Sequence, residues 1–394
     1  MKRLRRFLDQ IKPHFEKDGK WYFLHSTFEA FETFLFVPNK VTQTGSHVRD
    51  AIDLKRTMST VIIALIPALL FGMLNVGVQH YAHVKQYAGL HWSDIISQVG
   101  FWKLFWFGFL KVLPIIVVTY VVGLSIEFLM AQIRGHEVNE GFLVTGLLIP
   151  LIVPINIPLW MLAVAVAFAV FIGKEAFGGT GMNIMNPALL ARAFLFFAYP
   201  SHMAGDKPWV VPADVISGPT PLGTAALGTE PEKIYQLYPP MDAFLGFIPG
   251  SIGETSKLMI LIGALILIIT GIGSLKIMLS GIVGALSMAW VLQLWGANPY
   301  MHMSPWYHLL IGGFLFGIVF MATDPVTAAQ TGWGKIIYGF LIGVFTILIR
   351  VLNPAYPEGT MLAILLMNVF APLIDYFVVH HNIHKRMRRT SLKA

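Results

Sequence analysis

The sequence predicts an all-α polytopic membrane protein, and three observations carry that prediction. Of 394 residues, 56% are hydrophobic and 12% charged, against about 25% charged in soluble domains. Ten apolar runs recur along the chain, most of them long enough for ~30 Å of hydrocarbon at ~1.5 Å per residue. The basic residues gather at the ends: 16 of the 28 Lys and Arg lie in residues 1–56 and 385–393. This is the positive-inside signal, and it places both termini in the cytoplasm. The net charge of +7 is thereby a matter of topology, and no nucleic-acid partner is expected. Zero cysteines exclude thiolate-ligated iron–sulfur clusters, c-type haem and disulfides.

Residues 1–56 carry Lys/Arg pairs, the aromatics Trp21, Tyr22 and Phe23, and a polar block from His47 through Asp53. No early apolar run with a small-residue cleavage site marks a signal peptide. Short helices on the cytoplasmic surface are expected, although a mere topogenic tail has the same composition. The apolar runs lie near 57–78, 104–130, 142–157, 158–173, 188–200, 257–273, 276–294, 306–322, 336–352 and 360–380. An even number returns the chain to the cytoplasm and leaves the 201–256 loop in the periplasm. Some runs are short, notably 188–200, and Gly178-Gly179-Thr180-Gly181 and Pro249-Gly250-Ser251-Ile252-Gly253 border two of them. Short, interrupted helices at matching places in two halves predict two inverted five-helix repeats around a central site. Residues 57–380 are read as one transmembrane domain and 381–394 as a basic cytoplasmic tail.

The residues that carry chemistry fall into three groups. Intramembrane carboxylates cost about 2.5–3.5 kcal/mol at a helix centre and call for a reason; Glu127, Asp324 and Asp375 are the candidates. As hard oxygen ligands they suit Na⁺ or H⁺ uptake, while a helix-end cap or a pair with a nearby Arg is the other reading near segment ends. Asn183 and Asn186 precede the short 188–200 run, and their amides donate and accept, which suits a ring edge carrying both kinds of group. An N-cap on a Pro-initiated helix is the other reading of Asn186. Thr220 closes the polar septet Asp214-Val215-Ile216-Ser217-Gly218-Pro219-Thr220 in the 201–256 loop. His136, Glu137, Asn139 and Glu140 lack the spacing of a zinc site, so no metal centre is expected. The Gly-rich runs match neither the dinucleotide fingerprint nor the NTPase phosphate loop, so NADH and ATP are not expected to bind here.

The septet resembles the acceptor motif of bacterial flavin transferases, Asp, two variable residues, then Ser/Thr-Gly-Ala-Thr, whose last threonine is esterified by FMN phosphate. Asp214, Ser217 and Gly218 then belong to the acceptor, and Thr220 is the esterified residue. Longer blocks extend the likeness: His47-Val48-Arg49-Asp50 with Asp53-Leu54-Lys55-Arg56, His136 to Gly141, Gly173 to Pro200, Gly246 to Thr255, Met321 to Val326 and Asn353 to Leu362. On these the chain resembles the family of B-type subunits of the Na⁺-translocating NADH:quinone oxidoreductase, a six-subunit complex of the bacterial inner membrane. The resemblance implies a fold similar to urea transporters and an electron path from covalent FMN through non-covalent riboflavin to ubiquinone, coupled to Na⁺ export. It implies five partner subunits and a flavin transferase. It also implies riboflavin contacts at Asn183 and Asn186, Na⁺ uptake at Glu127, Asp324 and Asp375, and a quinone side near Gly123 and Glu127.

Two positions depart from the family pattern: Pro219 stands where the acceptor has Ala, and Leu124 where a second glycine is expected. The D-type subunit of the related Rnf ferredoxin:NAD oxidoreductase shares the acceptor threonine and typically lacks an extension like residues 1–56. A non-redox channel or carrier of similar fold is the reading from a different class, and the acceptor septet argues against it.

Overall fold

A computed structural model describes residues 2–16, 19–25, 28, 32, 36, 42–46, 54–134, 141–205, 207–213 and 218–391, and every regular element among the described residues is helical. The polar block His47 to Asp53, the His136 to Glu140 cluster, and Asp214 and Ser217 of the septet lie outside them. Helix α1 (Lys2–Ile11) opens the chain. Buried Glu32 pairs with Arg5 at 3.0 Å and Lys12 at 2.9 Å.

The apolar region runs through α2 (Leu54–Ala82), the short α3 (Trp92–Val99), α4 (Phe101–Arg134), α5 (Gly141–Ile152), α6 (Leu159–Phe171) and α7 (Pro187–Ala198). In the 201–256 loop come α8 (Pro221–Ala226), α9 (Pro231–Leu237) and α10 (Pro240–Leu245). Then follow α11 (Lys257–Ile269), α12 (Leu275–Trp295), α13 (Tyr307–Leu310), α14 (Gly332–Leu352) and α15 (Thr360–Ser391). Six of these are long and apolar enough to cross a membrane, namely α2, α4, α6 with its continuation to Phe177, α12, α14 and α15. Helices α5, α7 and α11 are apolar but shorter. This architecture is consistent with a polytopic membrane protein.

The outward faces fit the solvent for which the helices are built. Leu110, Val121, Leu129 and Ile133 on α4 are exposed; in water each would forgo about 1.5–3 kcal/mol of burial, and against lipid it forgoes nothing. Inward faces use small residues to bring backbones together. Gly284 of α12 and Gly343 of α14 pack so closely that a Cβ on either would collide with a backbone oxygen of the other helix. Pro67, Pro114, Pro150 and Pro372 sit inside helices, which neighbouring helices tolerate in a bilayer.

The 306–322 run is not one helix. Helix α13 ends at Leu310, Ile311 is extended, Gly312 takes φ +67, and helical structure resumes as a turn at Phe314–Phe316 leading into a π turn at Gly317–Met321. The cause is the glycine pair, since the left-handed conformation at Gly312 strains any other residue. The carbonyl freed at Gly312 accepts Lys257 Nζ at 3.1 Å. Helix α5 likewise stops at Ile152, two residues before Pro154, and its Leu151 carbonyl accepts Gly253 N at 2.8 Å. Both interrupted segments therefore meet the 249–257 strip, whose residues from Ser251 to Lys257 are buried.

Candidate functional site

Two cavities lie at opposite ends of α7, a helix of 12 residues and hence ~18 Å long. The first opens at the start of α7 and is about 80 Å³ in volume. Its polar lining includes Asn183, Asn186, Asp324 and Lys174 with several threonines. Asn186 caps α7: its Oδ1 accepts Ala188 N at 3.0 Å and Leu189 N at 3.3 Å. Its amide nitrogen is then left to reach Asp324 Oδ2 at 3.4 Å. The cap and the site reading are thus served by different atoms of one side chain. Asn183 donates to Met185 O at 3.1 Å.

The three carboxylates are engaged differently. Asp324, in the loop between the π turn and α14, accepts Val326 N and Thr327 Oγ1, each at 3.1 Å. Burial pushes its carboxyl above the ordinary range, against the pull of those donors and of Asn186. Glu127, 4% exposed within α4, is ion-paired with buried Lys174. Asp375 accepts Gln330 N at 2.6 Å and Thr331 N at 3.0 Å, with Thr331 Oγ1 at 2.5 Å, so it ties α15 to the turn that starts α14. Only Asp324 of the three lines the cavity. Gly123 does not open on a cavity: a Cβ there would run into Phe142 Cζ, so its missing side chain is space taken by that ring.

The second cavity, about 290 Å³, lies at the far end of α7 beside the 201–256 loop. Thr220 stands on its wall with Phe196, Trp209, Leu222 and Tyr356, and Arg192, Glu254 and Glu358 supply charge. Thr220 is half-buried and extended, at φ −80 and ψ 155, and caps α8 by accepting Gly223 N at Oγ1, 3.1 Å away. Tyr238 OH donates to Pro219 O at 2.7 Å, which anchors the residue before it. Gly218 is required by closeness, because a Cβ would meet Val210 Cγ2 at 2.6 Å. Asp214 and Ser217 fall outside the described residues.

Sequence reading missed a set of charges beneath this second cavity. Arg192 of α7 pairs with Glu358; Lys257 donates to Glu254 O at 2.5 Å and Arg350 to His308 O at 2.7 Å. Each looks, in sequence, like a polar residue near a segment end. The signal that finds them is that Arg192, Lys257 and Arg350 are charges set within or at the edge of apolar runs, where a buried charge calls for a partner.

Residues 41–384 match the family model described as the NQR2, RnfD, RnfE family. A relative from Chromohalobacter salexigens, named as the B-type subunit of a Na(+)-translocating NADH-quinone reductase, is 50% identical over 399 residues, 98% of this chain and 96% of its own length. Proteins of the same name from Ectopseudomonas mendocina and Azotobacter vinelandii are 50% and 47% identical over 98% of this chain and 99% of theirs.

Proposed function

The chain belongs to the NQR2, RnfD, RnfE family, and from that membership we propose that it is the B-type subunit of a redox-driven Na⁺ pump. In this reading it sits in the bacterial inner membrane with both termini cytoplasmic, beside five other subunits, and electrons that enter from NADH elsewhere leave it towards ubiquinone. Relatives at 47–50% identity that carry the quinone reductase name favour this over the Rnf alternative. The two breaks that meet one central strip support ten crossings in two inverted halves, as in the urea transporter fold.

The observation that carries the proposal is the position of Thr220. Its hydroxyl stands on the wall of a cavity of about 290 Å³, close to the ~300 Å³ lower end of ligand pockets. Apolar and aromatic walls with a charged floor suit a flavin ring with a polar edge, so the residues fit FMN esterified at Thr220. Bound FMN supplies one- and two-electron transfer. The chain supplies the rest: Thr220 Oγ1 provides the ester oxygen, Tyr238 fixes the Pro219 carbonyl, and Phe196, Trp209 and Tyr356 offer apolar faces to the ring.

At the other end, the amides of Asn183 and Asn186 offer the donor and acceptor pair that a riboflavin edge needs. At about 80 Å³ that cavity admits a tricyclic ring only when lining such as Met58 and Val61 moves aside. Asp324 is the carboxylate best placed to take Na⁺, with Glu127 and Asp375 acting nearby through Lys174 and the start of α14. The quinone side is assigned to the neighbourhood of Gly123 and Glu127 on the family resemblance.

Thr220→Val tests the reading. It keeps the size of the side chain and removes the oxygen, so covalent flavin vanishes from the denatured chain while membrane insertion is retained. Covalent flavin that survives in this variant contradicts the assignment.

A further inference from the structure

The charges under the Thr220 cavity form a site of their own at the Gly312-Gly313 break. A Cβ placed on Gly313 would lie 2.7 Å from Glu358 Oε1 and 2.8 Å from Glu254 Oε2, so the two carboxylates meet over that glycine. Both line the cavity, and both also line a small void of about 10 Å³ on the inner side with Phe316 and Met321. Glu254 Oε1 accepts Ser251 N at 3.0 Å, but its Oε2 is buried with no hydrogen-bond partner. Orphaned polar atoms crowd the same place: Ser251 Oγ, Thr255 Oγ1, Tyr300 OH, His308 Nδ1, Arg350 Nη2 and Tyr356 OH. A buried orphan costs ~1–3 kcal/mol, so this concentration marks a place that a mobile species satisfies.

We infer that Glu254 and Glu358 form a proton-binding pair, which takes one proton from water in the Thr220 cavity and shares it over Gly313. Two carboxylates held this close do not both ionise readily. The flanking groups set the balance from each element around the pair: Arg192 on α7, Lys257 at the start of α11, His308 on α13, Arg350 on α14, and Tyr300 and Tyr356 from the adjoining loops. Three cationic side chains against two carboxylates keep a proton from being required at all times. Burial nonetheless outweighs Arg192 at Glu358, and with Glu254 beside it its carboxyl is pushed up to about 7. The proton is therefore exchangeable near neutrality. Na⁺ is disfavoured here by the same three cations.

The consequence for function rests on the Thr220 reading. Each electron that reaches a flavin in the cavity adds one negative charge beside the pair. One proton taken up from cavity water, converting a carboxylate to a carboxylic acid, offsets it, and the proton returns to water when the electron leaves. The pair is thus a positioning element for charge rather than a catalytic group.

Infrared difference spectroscopy on the whole complex reads this directly through the carboxylic-acid carbonyl band. In the oxidised complex, a band is expected to grow as pH falls through neutrality, to be absent in Glu358→Gln, and to move to lower pH in Glu254→Gln, where the neighbouring negative charge is gone. Chemical reduction is expected to raise the same band in the wild-type complex. The oxidised titration is repeated in Thr220→Val, so that loss of covalent flavin and failure of the pair are separate results. A wild-type complex with no carboxylic band titrating near neutrality overturns the proton site, whether or not the variants assemble. A band unchanged in Glu358→Gln overturns it as well, and a band that titrates but ignores reduction overturns the coupling to the flavin.

Discussion

Thr220 gives one hydroxyl two tasks. Its oxygen caps α8 through Gly223 N, and it is the proposed ester oxygen. Thr220→Ser preserves both, so covalent flavin is expected to remain, whereas Thr220→Val also loses a cap worth ~1 kcal/mol. In-gel fluorescence and thermal stability separate the two effects. Asp324 carries a second prediction at this scale. Because burial raises its pKa, its protonated form persists to higher pH than an ordinary carboxyl. If Asp324 takes Na⁺ as proposed, protons compete with it higher up the scale, so apparent Na⁺ affinity is expected to rise as pH climbs through the raised pKa and to be lost as pH falls. Asp324→Asn is expected to weaken Na⁺ activation about tenfold or more, ~1.4 kcal/mol, and to flatten that pH dependence. Initial rates of quinone reduction over a grid of Na⁺ and pH are the check.

Among the elements, α4 and α5 are fitted by one missing side chain. Gly123→Ala puts a Cβ against the Phe142 ring, and overpacking of this kind costs ~1–3 kcal/mol. A paired Phe142→Leu is expected to recover most of the loss in a thermal denaturation assay, which would separate packing from any quinone role. At α7, Asn186→Ala removes both capping contacts and ~0.5–2 kcal/mol. Asn186→Ser keeps the cap and shortens the reach to Asp324, so its thermal stability is expected to stay near wild type while Na⁺ dependence changes. What was legible in sequence follows the same division. Long apolar helices and the Asn186 cap are local signals, carried by composition and by Pro187. The break at Gly312-Gly313 was not legible, because two glycines inside an apolar run read equally as close helix packing. The Arg192–Glu358 pair spans 166 positions, and no local pattern links its members. Asp375 proved to be a tie between α15 and the turn before α14, a role that periodicity does not encode.

For the whole molecule, the arrangement sets two largely apolar cavities with a few polar groups at opposite ends of one short helix, with charged groups beneath the second. The chain has no cysteine, which makes its topology directly testable by single replacements. Glu230→Cys, in the 201–256 loop, is expected to react with an impermeant maleimide on intact cells. Lys385→Cys, on the basic end of α15, is expected to react only after permeabilisation. Labelling of both from outside would put the C-terminal end and the Thr220 loop on one side and undo the five crossings read between them. The most direct test of the central claim remains chemical: in-gel flavin fluorescence of the denatured chain, made with and without a flavin transferase, followed by mass mapping of the labelled peptide. FMN mass on Thr220, present only with the transferase, is the predicted result. No covalent flavin despite an active transferase, or flavin on another residue, would contradict the account.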